Sequence, residues 1–432
     1  MKKTFLLSYL MLAAMPVMAA YTGHVYVDKN KNGVFDQSEK PLAGIKVSDG
    51  LNVVETAADG SFTLPGHERE RFIFITTPSG YKTFNRHYHK IEKKQSGYDF
   101  GLIPYSGRIR KDGSHRYIHI TDTEIFNTEN HADWVNNVHD YARNEQAAFI
   151  IHTGDICYEK GLKAHIKLMN TENMDCPVFY CIGNHDLVKG KYGEELFESI
   201  YGPVYYSFDA GNVHYVVTPM PGGDHAPGYT SDDVCRWLKN DLAHIRPGTP
   251  VVVFNHDLLT YEDTFIFKSK NAGSINLNEY NLKAWVYGHW HINYMKKQGD
   301  VYSVCTSSLD KGGIDHSTTA FRVMHVDSKG DFTSELRYTY LDKNICIASP
   351  AGVMASGVLP VAVNVYSSVS PVREVLYTCL ADGKPVLKNK RLLQSTDWSW
   401  NGELPLSHKY VGKELTLRVT ARFNNGEIAE AE

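Results

Sequence analysis

Between residues 116 and 291, short apolar runs alternate with amphipathic stretches, and every apolar run stops at a polar cluster. "RYIHIT" leads into "TDTE", "AAFIIHT" into "HTGD", "CPVFYCI" into "IGNHD", "VVVF" into "VFNHD", and a further run into "YGHWH". The spacing predicts a helix over 128–144 with Trp134, Val138 and Tyr141 on one face, and a second helix before the third apolar run. Strands alternating with helices imply a layered α/β domain. In such domains ligands bind beyond the carboxyl ends of the strands, which is where the polar clusters fall.

The flanks read differently. Residues 21–104 carry runs such as "GHVYV", "GIKVSD" and "RFIFITT" between Gly, Pro, Asn and Asp clusters, and the same strand-and-turn style returns over 344–432. Each flank is expected to be a β-sandwich. The division is then a leader over 1–20, an N-terminal sandwich over 21–104, an α/β domain over 105–343 and a C-terminal sandwich over 344–432. The leader reading comes from two lysines, an apolar stretch and the small residues of "VMAA", the layout of a secretory signal peptide. An exported protein, periplasmic or extracellular, follows. No later run approaches the ~18 apolar residues of a spanning helix. A net charge of −4 with no basic block argues against a nucleic-acid partner. Seven cysteines, an odd count without a C-x-x-C, leave at least one thiol unpaired within the chain.

The residue types at the strand ends suit a pair of metal ions. They are Asp122, Glu124, Asp155, Asn184, His185, Asp186, His256, His289 and His291. Imidazole nitrogens with carboxylate and amide oxygens suit Mn, Fe or Zn, and two ions roughly 3.5–4 Å apart need a carboxylate that spans both. Asp155 is the candidate bridge. In extended segments residues two apart point the same way, which would let Asp122 converge with Glu124, and His289 with His291. His119 and His152, inside their strands, are expected to be hydrogen-bonded core histidines, and Asp186 to orient a neighbour. Tyr229, His225, Asp315 and His316 are weighed as pocket lining against surface loop, and surface loop is the reading taken.

The five blocks in this order resemble the calcineurin-like metallophosphoesterases, over Tyr117 to about His325. "YGPVYYSFDAGNVHYVV" and "CRWLKNDLAHIRPGTPVVVF" add to the likeness. The resemblance implies a four-layer core, two packed sheets flanked by helices, here with an all-β sandwich on each side as in exported bacterial members. It implies that Asp122 and His291 hold one ion, that Asp155 bridges, and that Asn184, His256 and His289 hold the second. His185 would polarise the phosphoryl group or protonate the leaving oxygen. The reaction implied is hydrolysis of phosphomonoesters or phosphodiesters by a metal-bound hydroxide, with two divalent or trivalent transition ions as cofactors and a small phosphorylated molecule as substrate.

The chain departs from the family at three places. Glu124 stands where histidine is usual, and is either a ligand or a solvated carboxylate. Tyr158, followed by Glu159, stands where protein phosphatases carry an aspartate partner for the catalytic histidine. Asp257 replaces the apolar residue common after His256. A competing reading is therefore a carbohydrate- or surface-binding protein with a decayed phosphoesterase core, its sandwiches contacting glycans or a cell surface.

Outside the α/β region, "DKNKNGVFDQSE" fits the calcium-loop template D-x-[DN]-x-[DN]-G-x₅-E, with Asp28, Asn30, Asn32, Gly33, Asp36 and Glu39 in place. Strand-like sequence on both sides argues against a helix-loop-helix hand. Two readings stand: one Ca²⁺ bracing the N-terminal module, or a polar hairpin rich in Asn and Gly for turn reasons alone.

Overall fold

The computed structural model describes residues 20–432 apart from 96, 315–316, 341–342, 353–356, 368–369 and 397. The leader segment up to residue 19, with Asp315 and His316, lies outside the described residues.

Two mixed sheets form the centre. The first is built on the run that ends at Thr121: β1 (His115–Ile120), β2 (Phe149–His152) and β3 (Val178–Tyr180) are parallel neighbours. The second contains β4 (Tyr206–Ala210), β5 (Val213–Val217), β6 (Val251–Phe254), β7 (Leu282–Tyr287), β8 (Tyr294–Gln298) and β9 (Val301–Cys305), in the order β4-β5-β6-β7-β9-β8. β10 (Ala320–Val326) then returns antiparallel to β1, and β11 (Phe332–Tyr338) pairs with β10. Tyr117, Phe149, Phe179, Phe208, Tyr215 and Phe254 come from both sheets and pack in one apolar cluster. The central strands, β2 and β6 among them, are buried along their whole length, which is why they read as unbroken apolar runs and not as alternation.

Four α-helices occur among the described residues. The first, α1 (Ala132–Asn144), buries Trp134 and Val138, with Tyr141 edge-on to Phe321 of β10. It starts later than its apolar spacing predicts, because Asn130 takes a left-handed backbone (φ 63°) that no helix can run through. Behind the second sheet, α4 (Ser231–Ala243) opens with a capping box: Thr230 Oγ1 accepts from the Asp233 amide, and Asp233 accepts from the Thr230 amide at 2.9 Å.

The described residues of the flanks are mostly strand, with one 3-10 turn at His408–Tyr410. N-terminally, a five-stranded and a four-stranded sheet share the core of Val25, Val47, Phe62, Ile73, Phe100 and Leu102. C-terminally, two four-stranded sheets share Val363, Val375, Leu392, Trp400 and Val419. Arg71 joins the N-terminal strands to the α/β region through Glu194 (2.8 Å) and Glu198 (3.0 Å). All seven cysteines are free thiols, six of them buried. No helix among the described residues is long and apolar enough to cross a membrane.

Candidate metal centre

The strand ends bring the polar blocks together at one edge of the two sheets. Asp122, Glu124 and His291 form one group whose ligand atoms all lie within 4.8 Å of one another, and Asp155, His256 and His289 form a second. Glu124 also groups with Asp155 and Cys157, so Asp155 belongs to both sides of the cluster. His256 Nε2 lies 3.1 Å from Asp155 Oδ2 and 3.9 Å from Asp122 Oδ1, and His291 Nε2 lies 3.2 Å from Asp122 Oδ1 and 3.3 Å from Glu124 Oε1.

Convergence does not come from extended segments, as residue spacing suggested. Asp122, Glu124, Asp155, Cys157, Tyr158, His289 and His291 all adopt positive φ, between 45° and 74°. The chain leaves β1, β2 and β7 through left-handed residues, which turn the ligand side chains inward. For non-glycine residues such backbones cost of order 1 kcal/mol each, and they persist where the surroundings over-determine them. Two glycines permit the crowding. A Cβ on Gly288 would stand 1.9 Å from Thr121 Oγ1, and one on Gly183 would stand 2.2 Å from Asp155 Oδ1.

Whether these residues fit a metal pair can be read from their unused atoms. Asp122 Oδ1, Asn184 Oδ1 and His256 Nε2 are buried without a hydrogen-bond partner, although buried polar atoms are normally paired. The remaining valences are committed and fix orientation: His256 Nδ1 faces the Thr153 carbonyl at 2.7 Å, and Asp122 Oδ2 accepts from the His289 amide at 3.0 Å. The Thr153 carbonyl can only accept, so Nδ1 carries the proton and Nε2 points at the carboxylates. The field favours a cation at the centre. Burial alone would depress His256, but Asp155 and Asp122 lift it to about 9. The Asp122 and Glu124 carboxylates that face its Nε2 lift His291 to about 10. The donor set and its vacant valences fit a metal pair.

His185 stands beside this cluster. Its amide donates to Asp155 Oδ1 (3.0 Å), and its Nδ1 lies 2.9 Å from Asp224 Oδ2. Against burial, Asp224 and Asp155 raise its affinity for a proton. Asp224 was not singled out in the sequence, where only its neighbour His225 was weighed. The signal was the Gly-Gly pair before it in "PMPGGDH", which lets the loop after β5 fold back until the Asp224 amide reaches the Asn184 carbonyl at 3.1 Å. Glu159 points away and pairs with Lys163 on α2 (Tyr158–Leu168).

Other expectations sort cleanly. His119 is buried between Thr153 Oγ1 and Thr306 Oγ1, each at 2.8 Å, and His152 meets Thr123 Oγ1 at 3.0 Å. Asp186 is buried and accepts from the Cys157 and Gly183 amides at 2.8 and 2.9 Å; burial pushes its carboxyl up to about 7. Asp257 is pinned by the Trp290 indole at 3.0 Å. Tyr229, taken as a surface loop, is instead buried with its hydroxyl on the Met220 carbonyl, because the loop after β5 closes over it. Cys157 lies closer to the cluster than its sequence position suggested, but burial and the carboxylates around it push its thiol up, away from the thiolate a metal needs. Lys311, the first residue of the "KGGIDH" segment expected to be a surface loop, pairs with Glu124 Oε2.

A family model for the calcineurin-like phosphoesterases matches residues 115–293, and a model for the N-terminal region of calcineurin-like phosphoesterases matches 29–104. Together they span more than half of the chain. The chain belongs to the calcineurin-like phosphoesterase family. A curated member, Purple acid phosphatase 13 of Arabidopsis thaliana, is 26% identical over 215 residues, covering 46% of this calcineurin-like chain and 36% of that protein's length. An archaeal phosphodiesterase structure is 13% identical with a TM-score of 0.27, covering 51% of this chain and 99% of that one. Vacuolar Protein Sorting 29 from Cryptosporidium parvum is 10% identical with a TM-score of 0.28, covering 68% and 98%.

The Asp28–Glu39 loop is closed on itself. Asp28 accepts from the amides of Asn32 (3.1 Å) and Gly33 (2.9 Å), and Glu39 from those of Lys29 (2.8 Å) and Asp36 (3.2 Å). Asp36 Oδ2 accepts from the side-chain amides of Asn30 (2.7 Å) and Asn32 (3.1 Å).

Proposed function

We propose that the chain is an exported hydrolase of phosphate esters, using a dinuclear metal centre at the ends of β1, β2, β6 and β7. The supporting observation is the convergence of Asp122 Oδ1, Asn184 Oδ1 and His256 Nε2, buried and unpartnered, on a set of carboxylates that raises the neighbouring imidazoles. Asp122, Glu124 and His291 would hold one ion, Asn184, His256 and His289 the other, and Asp155 would span both. When bound, the ions supply Lewis acidity toward the phosphoryl oxygens and an activated water.

The chain's own residues do the rest. Asp224 holds Nδ1 of His185, which sets the tautomer and aims Nε2 at the ester, where it donates to the departing oxygen. Trp290 keeps Asp257 out of the cluster. Glu124 is kept charged by His291 and Lys311, which lower its proton affinity. In the same reading the two sheets and their helices make a four-layer core over 105–343, with a β-sandwich over 21–104 and another over 344–432, a cleaved leader over 1–20, and a Ca²⁺ ion bracing the Asp28–Glu39 loop.

A hydrolysis screen tests the proposal: p-nitrophenyl phosphate and bis-p-nitrophenyl phosphate, with Mn, Fe, Zn, Ni and Co added separately. Turnover with at least one metal is expected. A chain that hydrolyses neither ester with any of them does not fit this reading.

A further inference from the structure

Lys311 is the one described cation that reaches the metal cluster from the solvent side and pairs with one of its carboxylates, Glu124 Oε2. Its backbone is hydrogen-bonded at the root and its side chain is partly exposed. Thr306, Ser307, Ser308 and Leu309 before it are fully buried. Ser308 Oγ accepts from the Lys311 amide at 3.0 Å and donates to the Asp122 carbonyl at 2.7 Å, so the root of Lys311 is tied to the strand end that carries Asp122. The stem then runs outward until the ammonium lies 5.8 Å from the centre of the exposed Phe126 ring, with the side chain 45% exposed.

Glu124 has a second partner besides this cation. Its other oxygen, Oε1, already faces His291 Nε2 at 3.3 Å. A lysine held there adds a positive charge with three donors on the open side of a cluster built for a phosphoryl group. The two ester classes differ in that respect. Near neutral pH a phosphomonoester carries about two negative charges and three unshared oxygens, and a diester carries one charge and two such oxygens. The extra charge and the extra oxygen of the monoester both call for a further cationic donor at the solvent side.

We propose that Lys311 grips the terminal phosphoryl oxygens of a phosphomonoester, which makes the site selective for monoesters over diesters. The proposal rests on the phosphoesterase reading of the cluster. In it, Glu124 parks the ammonium until substrate arrives, and Phe126 confines the stem to the side facing the site.

The test uses the full chain loaded with the metal that gives most turnover, as wild type, Lys311→Met and Lys311→Arg. Three quantities are measured: the dissociation constants of inorganic phosphate and dimethyl phosphate by calorimetry, the ratio of kcat/KM for p-nitrophenyl phosphate to that for bis-p-nitrophenyl phosphate, and bound metal per chain. In Lys311→Met, phosphate binding weakens about tenfold and the monoester-to-diester ratio falls about tenfold, as expected for a lost charge-assisted hydrogen bond. Dimethyl phosphate binding changes less, metal content is kept, and Lys311→Arg recovers most of the phosphate affinity. The proposal is overturned by a ratio and a phosphate affinity that both stay within about twofold. Loss of metal in Lys311→Met also overturns it, since the lysine would then serve Glu124 alone. A wild-type chain that hydrolyses neither ester brings down the phosphoesterase reading instead, and the phosphate titration still decides the role of Lys311.

Discussion

The chain contains two motif-like clusters of Asp, Asn and Glu, and they differ in what their polar atoms are doing. At the sheet ends, Asp122 Oδ1, Asn184 Oδ1 and His256 Nε2 are buried and unpartnered. In the Asp28–Glu39 loop, the carboxylates of Asp28, Asp36 and Glu39 accept from amides of the loop itself. A turn that satisfies its own donors and acceptors is stable without a ligand, whereas buried valences left open cost ~1–3 kcal/mol each until something fills them. Open valences alone do not make a cation site, however. Both nitrogens of His165 and Nε2 of His87 are also buried without partners, but no carboxylate among the described residues raises either ring. Burial pushes both imidazoles down to about 3, while Asp155 and Asp122 carry His256 up to about 9. The distinguishing mark is an open valence inside a negative field.

The largest expected effect tests that mark at its centre. Asp155→Asn removes the carboxylate that groups both with Glu124 and with His256 and His289, and turnover of any ester should fall by about 10³-fold or more. His185→Ala should cost about 10²–10⁴-fold in kcat. If either variant kept full activity, the cluster would be no more functional than the loop. Next in size is Asp224→Asn, which leaves His185 in place without its charged partner. A fall of about tenfold or more in kcat with little change in KM is expected from steady-state kinetics, and an unchanged kcat would show that the 2.9 Å contact is not used.

The field-free histidines give a pH signature of their own. His87, His115 and His165 have folded values of about 3, 4 and 3, below the ordinary value near 6.5. Below pH ~6.5 the unfolded chain binds protons that the folded chain refuses, so stability is intact above that pH and declines as pH falls toward 4. Each such histidine should contribute a slope of about 1.4 kcal/mol per pH unit in that window, read by urea unfolding. A flat profile from pH 7 to pH 5 would mean these imidazoles are not held neutral. The smallest effect belongs to the loop. Calcium should raise the melting temperature of the N-terminal region by about 4–8 °C, equivalent to ~1 kcal/mol, without altering turnover. A shift as large as that from the transition metals would erase the contrast between the two clusters.

The sequence displayed most of this where chemistry is carried by residue type at strand ends. The apolar runs located β1, β2, β3, β6 and β7, and their terminal blocks supplied the residues that gather at the sheet edge. It did not display how they gather. Left-handed backbones at Asp122, Glu124, Asp155, His289 and His291 do what alternation in an extended segment cannot, and a positive φ in Asp, Glu or His has no marker in residue order. The two side chains that pair with His185 and Glu124, Asp224 and Lys311, lie in loops after β5 and β9. A Gly-Gly pair marks the first loop as able to fold back, but residue order does not show which strand end a loop will cross. The Asp28–Glu39 loop shows the converse: every residue of its template is legible, yet the template is met equally by a turn that bonds to itself.

The most direct test of the account is metal stoichiometry by mass spectrometry of the elements, on wild type and Asp155→Asn reconstituted side by side. The account predicts two transition-metal ions per chain in the wild type and one or fewer in the variant. Fewer than one ion in the wild type, or two in both proteins, would contradict it.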